Sequence, residues 1–151
     1  QVYNVGCLGK ISDFKKTNDG RLVINLSGIS RFKIIDEIKS EKIYREFNVD
    51  YDRFKIDTDE NIEVVKRPQI DKSLSKIKKF YEKRGLLLNW KEFEKLEESQ
   101  KINTLAMISP ISNEEKQKLL ETVTLNEKWI TLSNIVEFYA HNENLEIETI
   151  Q

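Results

Sequence analysis

Two side chains with reactive chemistry occur once each in the sequence: the thiol of Cys7 and the imidazole of His141. A Cys–His pair performs nucleophilic catalysis only when the two groups are in contact. Cys7 lies among strand-forming residues, and His141 lies near the end of a helical pattern, so no catalytic pair is predicted. We predict a buried, inert Cys7 and a His141 that interacts with a helix dipole. One thiol and one imidazole are also too few for a zinc site.

Residues 6–11 (GCLGKI) superficially resemble a phosphate-binding loop. The spacing is too short for that motif, and Ile11 stands where Ser or Thr would bind magnesium. The segment also lies within a strand pattern rather than between a strand and a helix. Gly6 and Gly9 therefore indicate a β-bulge or close backbone packing.

Acidic and aromatic residues are the remaining candidates for chemistry. Paired carboxylates could act as acid and base, but these alternate with lysines or lie in a charged linker, which favours a solvated surface. The aromatic residues have helical spacing, which favours a core over a platform for stacking bases. The acids are Asp57, Asp59, Glu60, Glu63, Glu92, Glu94, Glu97 and Glu98, and the aromatics are Phe80, Tyr81, Trp90, Trp129 and Tyr139.

Arg31 lies between strand residues and has two interpretations. It could bind a ligand carboxylate, or it could pair with an acid of the chain such as Asp19 or Glu37, which is the favoured interpretation. No residue is assigned a catalytic, cofactor-binding or metal-ligating role. No cofactor is expected, and the binding residues stay unassigned.

The composition narrows the class of protein. The chain has 151 residues with 25 basic and 26 acidic side chains, for a net charge of -1. A general nucleic-acid binder usually shows a clustered positive field, and none is visible. No apolar run approaches a membrane span, and no signal-peptide pattern occurs. A single cysteine fits a reducing compartment, so we expect a cytoplasmic protein.

The first third of the chain has the periodicity of strands. Residues 2–14 predict one strand, Asn18-Asp19-Gly20 predicts a turn, and Leu22, Ile24 and Leu26 share one face of the next strand. A hairpin of residues 5–14 with 21–27 follows. Gly28 is expected to end that strand, with further strands over 30–38 and 44–51.

The rest of the chain has helical periodicity. Residues 52–67 predict a linker, which Pro68 ends. Helices are predicted from Asp71 to just before Gly85, over 89–98 and 99–109, after a capping box at Ser112, and from Thr124 through Tyr139. The tail, 142–151, could be a loop or a short strand. The fold class is α+β, with a β-rich part over 1–67 and a helical part over 68–151.

The residues of both parts resemble a known family. The strand pattern is carried by residues 5–11 (VGCLGKI), 18–21 (NDGR), 26–32 (LSGISRF) and 44–45 (YR). The helical part contributes residues 114–121 (EEKQKLLE), preceded by Pro110. Together, these segments resemble the N-terminal substrate-binding domain of Lon proteases, which also occurs as a stand-alone bacterial protein. The resemblance spans most of residues 5–140.

The resemblance implies a PUA-like antiparallel β pseudo-barrel followed by a C-terminal helical bundle. It implies a non-catalytic protein-interaction module that recognises substrates, because the ATPase and protease domains of Lon are separate from this domain. Unfolded or extended protein segments are the expected partners. The alternative is an RNA-binding PUA-like module, which the balanced charge disfavours.

The start of the sequence departs from the family pattern. The chain begins at Gln1, whereas the family begins with a further strand-rich segment and a helix before the position of Val2. We therefore expect an N-terminally truncated fragment. Such a fragment would expose an unpaired strand edge, through which it could associate with itself.

Overall fold

Strands occupy the first part of the chain and helices the rest, so the α+β prediction is confirmed. The computed structural model describes residues 2–59 and 67–148, and it describes side chains within those ranges except for 67–72 and 142–148. The fold consists of two compact units, Gln1–Asn61 and Ile62–Gln151. No helix in the described ranges has the length and hydropathy of a membrane span.

The first unit is built on an antiparallel sheet of three strands in the order β1-β2-β3. The strands are β1 (Val5–Lys16), β2 (Leu22–Ile38) and β3 (Glu46–Asp50), and a 3₁₀-helix (Asp52–Asp57) follows them. The three described strands form an open sheet, and closure into a PUA-like pseudo-barrel stays a prediction. The predicted linker is wrong for residues 52–57, because Phe54 of the 3₁₀-helix is fully buried.

The hairpin turn between β1 and β2 forms as its sequence predicts. The Thr17 N–H donates to the Arg21 carbonyl at 2.8 Å, and the Gly20 N–H donates to the Thr17 carbonyl at 3.0 Å. Gly20 has a φ of 85°, a conformation that favours glycine. The Arg21 Nε donates to an Asp19 carboxylate oxygen at 2.7 Å. This hydrogen bond, with further ones from the Thr17 hydroxyl and the Arg21 backbone N–H, lowers the pKa of Asp19 to about 2.

The second strand does not end at Gly28, so that prediction is wrong. β2 runs through this position for 17 residues. The register changes between the Leu8–Ser30 and Gly9–Gly28 pairs, so Ile29 is the extra residue of a bulge. Beyond the bulge, the antiparallel pairing of β1 with β2 continues from the Gly9–Gly28 pair. Gly28 does not have a positive φ.

The second unit contains five helices in its described residues. They are α1 (Arg67–Lys83), α2 (Trp90–Phe93), α3 (Glu98–Ile108), α4 (Asn113–Glu121) and α5 (Leu125–Glu148). Their apolar faces meet in one core, as the 3.6-residue period predicts. The buried core residues are Ile77, Phe80, Tyr81, Phe93, Ile102, Leu105, Ala106, Leu119, Trp129, Leu132 and Val136.

Most predicted helix ends are confirmed. Gly85 has a φ of 75°, and the Leu86 N–H donates to the Tyr81 carbonyl at 2.9 Å, which closes α1. Ser112 and Glu115 form a reciprocal capping box, with N–H···O distances of 2.9 and 3.2 Å. The start of α5 is capped in the same way by Thr124 and Glu127.

Four helical predictions are wrong. α1 begins at Arg67 because Pro68 is accepted in a first turn, so Asp71 lies inside the helix. α2 ends at Phe93 because Glu97 is already extended as the N-cap of α3. Met107, a tentative core residue, is exposed. α5 continues to Glu148, since residues 142–148 contain no glycine or proline to stop it. Residues 149–151 of the predicted tail lie outside the described ranges.

The buried hydroxyl of Tyr81 links α1 to α3 through a hydrogen bond. The side chain is fully buried, and its Oη donates to the Leu105 carbonyl at 2.7 Å. Burial raises the pKa of Tyr81 to about 12. The phenol is therefore neutral over the physiological range and acts as a hydrogen-bond donor.

We predict that Tyr81→Phe lowers the free energy of unfolding by about 1–2 kcal/mol, because it leaves the buried Leu105 carbonyl without this donor. Urea unfolding followed by circular dichroism measures the change. Tyr44→Phe is the matched control, since Tyr44 is exposed, and it should be neutral. Equal effects of the two substitutions would contradict the assigned role.

Candidate functional site

One face of the sheet carries an open, apolar groove with a cavity volume of about 620 Å³. Each of the three strands contributes to it, and so do two residues that precede β1. None of its lining side chains is charged. The lining residues are Val2, Tyr3, Val5, Gly6, Leu8, Phe32, Ile34, Phe47, Val49 and Tyr51.

The strand register places these side chains together. Gly6 pairs with Phe32 across β1 and β2, and Ile34 pairs with Val49 across β2 and β3. Residues that are directly opposite in a sheet project from the same face, so the two pairs line one continuous surface. The Phe32 and Tyr51 rings meet edge to face with centroids 6.0 Å apart. The groove thus has an aromatic centre.

Gly6 allows the Phe32 ring to lie directly over β1. A Cβ atom at position 6 would lie 2.7 Å from the end of that ring, which is closer than atoms can approach. The prediction of close packing at this glycine is therefore confirmed. The whole 6–11 segment is part of β1, so it does not form a phosphate-binding loop between a strand and a helix.

Arg31 projects from the opposite face of the sheet to its neighbour Phe32. Its Nε and Nη2 atoms donate to the two carboxylate oxygens of Asp57 at 2.9 and 2.6 Å. Its backbone N–H also donates to Asp57, at 2.8 Å. The guanidinium lies 4.6 Å from the centroid of the buried Phe54 ring. These hydrogen bonds and the cation–π contact hold the 3₁₀-helix against β2.

The favoured interpretation of Arg31 is confirmed, but the suggested partners are wrong. Asp19 interacts with Arg21. Glu37 accepts a hydrogen bond from Arg45 at 2.7 Å, which lowers its pKa. Asp57 was not predicted as the partner because the sequence around it was interpreted as a linker, and a contact across 26 positions leaves no local signal in the sequence.

The predicted burial of Cys7 is wrong, since its thiol is exposed. The 3₁₀-helix packs on β2 and leaves Cys7, on the neighbouring strand, uncovered. His141 is exposed inside α5, seven residues before its last residue, and not at a helix end. The two residues belong to different units. Among the described side chains, no three His, Cys, Asp or Glu residues are grouped to hold a metal ion.

The other acidic and aromatic candidates largely have structural roles. Glu92 pairs with Lys95 at 2.7 Å, and Glu98 pairs with Lys101 at 3.1 Å, both along a helix. Phe80, Tyr81 and Trp129 are buried in the helical core, and Trp90 and Tyr139 pack against it, as predicted. Glu60 and Glu63 lie outside the described residues.

A sequence comparison identifies the family. A family model described as the ATP-dependent protease La (LON) substrate-binding domain matches residues 1–137. This chain belongs to the Lon substrate-binding domain family. The groove is therefore an apolar surface on a Lon substrate-binding domain. A search of curated proteins finds no match to the sequence.

The Lon-type fold also agrees with a solved structure. The N-terminal domain of the Mycobacterium avium complex Lon protease matches with a TM-score of 0.59 and 16% sequence identity. The match covers 91% of this chain and 72% of that one. Similarity at this level of identity demonstrates a shared fold, in agreement with the family assignment.

We predict that Asp57→Asn destabilises the first unit by about 2–3 kcal/mol, because the buried Arg31 guanidinium would lose the negative charge of the Asp57 carboxylate. Thermal unfolding followed by circular dichroism tests this. Asp52→Asn in the same 3₁₀-helix is the control, since its pair with Lys55 is largely exposed and contributes little. An effect of Asp57→Asn no larger than that of Asp52→Asn would disprove the fastening role.

Two of the glycines in the sheet, Gly6 and Gly28, provide a second prediction. Gly6→Ala should destabilise the fold by about 1 kcal/mol because the Phe32 ring must shift. Gly28→Ala should be neutral within about 0.5 kcal/mol, since a Cβ there meets only the Cys7 Sγ at an ordinary 3.5 Å. Urea unfolding midpoints of the two variants, measured side by side, show which substitution is more destabilising. The reverse order would mean that the Phe32 ring does not lie over Gly6.

Proposed function

We propose that this Lon substrate-binding domain is a non-catalytic recognition module that holds extended or unfolded protein segments in the groove of its sheet. The proposal rests on the groove itself, which is open, lined from three strands, free of charged side chains and mainly apolar. Its family assignment supports protein substrates as the ligand class. The single-cysteine composition supports action in the cytoplasm.

The chemistry of the groove favours extended segments with apolar side chains. An extended chain presents alternate side chains to one side, at intervals of roughly 6–7 Å. The groove offers successive apolar contacts across β1, β2 and β3, such as Leu8, Ile34 and Val49. Without charged groups in the lining, it can accept many sequences, provided that they expose apolar residues. Folded proteins bury such segments, whereas unfolded ones expose them.

The test uses fluorescently labelled, reduced and carboxymethylated lactalbumin, a permanently unfolded protein, with anisotropy as the readout. Leu8→Asp places a charge in the groove, and we expect it to raise the dissociation constant at least about tenfold. Leu8 is exposed, so the substitution spares the core. Leu87→Asp is the control, because Leu87 is also exposed but lies in the second unit and outside the groove.

The same variants separate the alternatives. Equal binding by wild type and Leu8→Asp, or no binding by wild type, would refute the proposed groove. Binding of a structured RNA that weakens steeply with salt, without binding of the unfolded protein, would support the RNA-binding alternative instead.

A further inference from the structure

The hairpin of β1 and β2 extends well beyond the third strand. β3 pairs only with the part of β2 between Lys33 and Ile38. Residues 22–28 of β2 therefore pair with β1 alone. A two-stranded hairpin is marginally stable in water unless another surface packs against it. The distal half of this hairpin needs such a surface.

The distal hairpin carries an apolar stripe that is exposed in the described structure. Phe14 pairs with Ile24, and Ile11 pairs with Leu26, so these side chains project from one face together with Leu22. Phe14 is 68% exposed and Leu26 is 69% exposed. We call the five residues the hairpin stripe; they are Ile11, Phe14, Leu22, Ile24 and Leu26.

The opposite face of the same hairpin is more polar. Val23 and Asn25 alternate with the stripe residues along β2. Their partners on β1 are Lys15 and Asp13, respectively. The contrast between the two faces is typical of a ribbon with one face packed and one face solvated.

The exposed area of the hairpin stripe is large enough for a specific dimer interface. The five residues are 45–69% exposed, which corresponds to on the order of 600 Å² of surface. Complete coverage of the stripe in two copies would bury on the order of 1,200 Å², the lower end for specific interfaces. The five stripe residues carry no charge. Lys16 pairs with Leu22 and so projects from the same face, but it lies at the turn end of the hairpin, where its long side chain can keep the ammonium in water. A surface that packs against its own copy forms a closed, two-fold contact.

The free edge of β1 is less suitable for self-association than this face. Lys10, Lys15 and Lys16 lie along the strand, and the register shifts at Ser12, between the Ile11–Leu26 and Asp13–Asn25 pairs. Lysines and bulges are the features by which natural edge strands resist pairing with another strand. Lys10 and Lys15 pair with Ser27 and Val23 on the opposite face, so face-to-face packing of the stripe leaves them in water.

We propose that the hairpin stripe packs against the hairpin stripe of a second copy of this chain and forms a two-fold homodimer. The Phe14–Ile24 pair is the middle of the stripe and lies nearest the two-fold axis. The Ile11–Leu26 end of each copy then covers the Leu22 end of the other. None of the stripe residues lines the groove, so dimerisation leaves both grooves open.

Sedimentation velocity across a concentration series tests the proposal with two adjacent substitutions. Ile24→Asp places a charge in the stripe, and Val23→Asp places one on the opposite face of the same strand. The two side chains are 45% and 56% exposed, respectively, so their intrinsic costs are matched. We expect a wild-type dimer, a Val23→Asp dimer, and at least about a tenfold higher dissociation constant for Ile24→Asp.

Disulfide trapping provides a readout that does not depend on destabilising the hairpin. In a Cys7→Ser background, Ile24→Cys should form a covalent dimer on mild oxidation, because the two thiols meet near the axis. Val23→Cys should form no covalent dimer under the same conditions, because its thiol projects away from the partner.

Three results would overturn the proposed dimer. The first is a wild-type monomer at about 100 µM, a concentration well above the dissociation constants of most specific complexes. The others are equal effects of Ile24→Asp and Val23→Asp on the dissociation constant, and equal disulfide trapping of Ile24→Cys and Val23→Cys. A monomer in which Ile24→Asp weakens binding of carboxymethylated lactalbumin would assign the stripe to substrate instead. Leu8→Asp should leave the dimer intact, so failure of the groove and failure of the dimer are distinguishable.

Discussion

The ion pair between Arg31 and Asp57 determines how the sheet of the first unit is covered. Both partners are largely buried, and the pair is completed by the Arg31 backbone N–H and by the ring of Phe54. The 3₁₀-helix is thereby held on one face of β2. The opposite face at the same level, around Phe32 and Ile34, lines the open groove. A charged contact on one side of the strand thus defines which side is available to a ligand.

The local features of this fold could be predicted from sequence because their causes are local. The Gly20 turn, the Gly85 helix end and the Ser112–Glu115 capping box each involve residues within five positions of one another. The alternation of Leu22, Ile24 and Leu26 also predicted a shared face correctly. The α+β order followed from the change in period along the chain.

The candidate site could be predicted only in part. Alternation identifies which side chains share a face, but it does not say whether another element covers that face. Cys7 was therefore expected to be buried, although its thiol is exposed. The Arg31 partner was missed because Asp57 lies 26 positions away. Gly9 indicated a bulge, and the register does shift between Leu8 and Gly9. That β2 continues past Gly28 was not predicted, because this continuation depends on its pairing with β1.

The separation of the groove from the hairpin stripe has a consequence for affinity. In the proposed dimer, both grooves remain accessible, and an unfolded chain usually exposes more than one apolar segment. Once the first segment is bound, the second searches only the volume that its tether allows, at an effective concentration in the millimolar range. Avidity would then discriminate long unfolded chains from short peptides, although each groove alone contacts both in the same way.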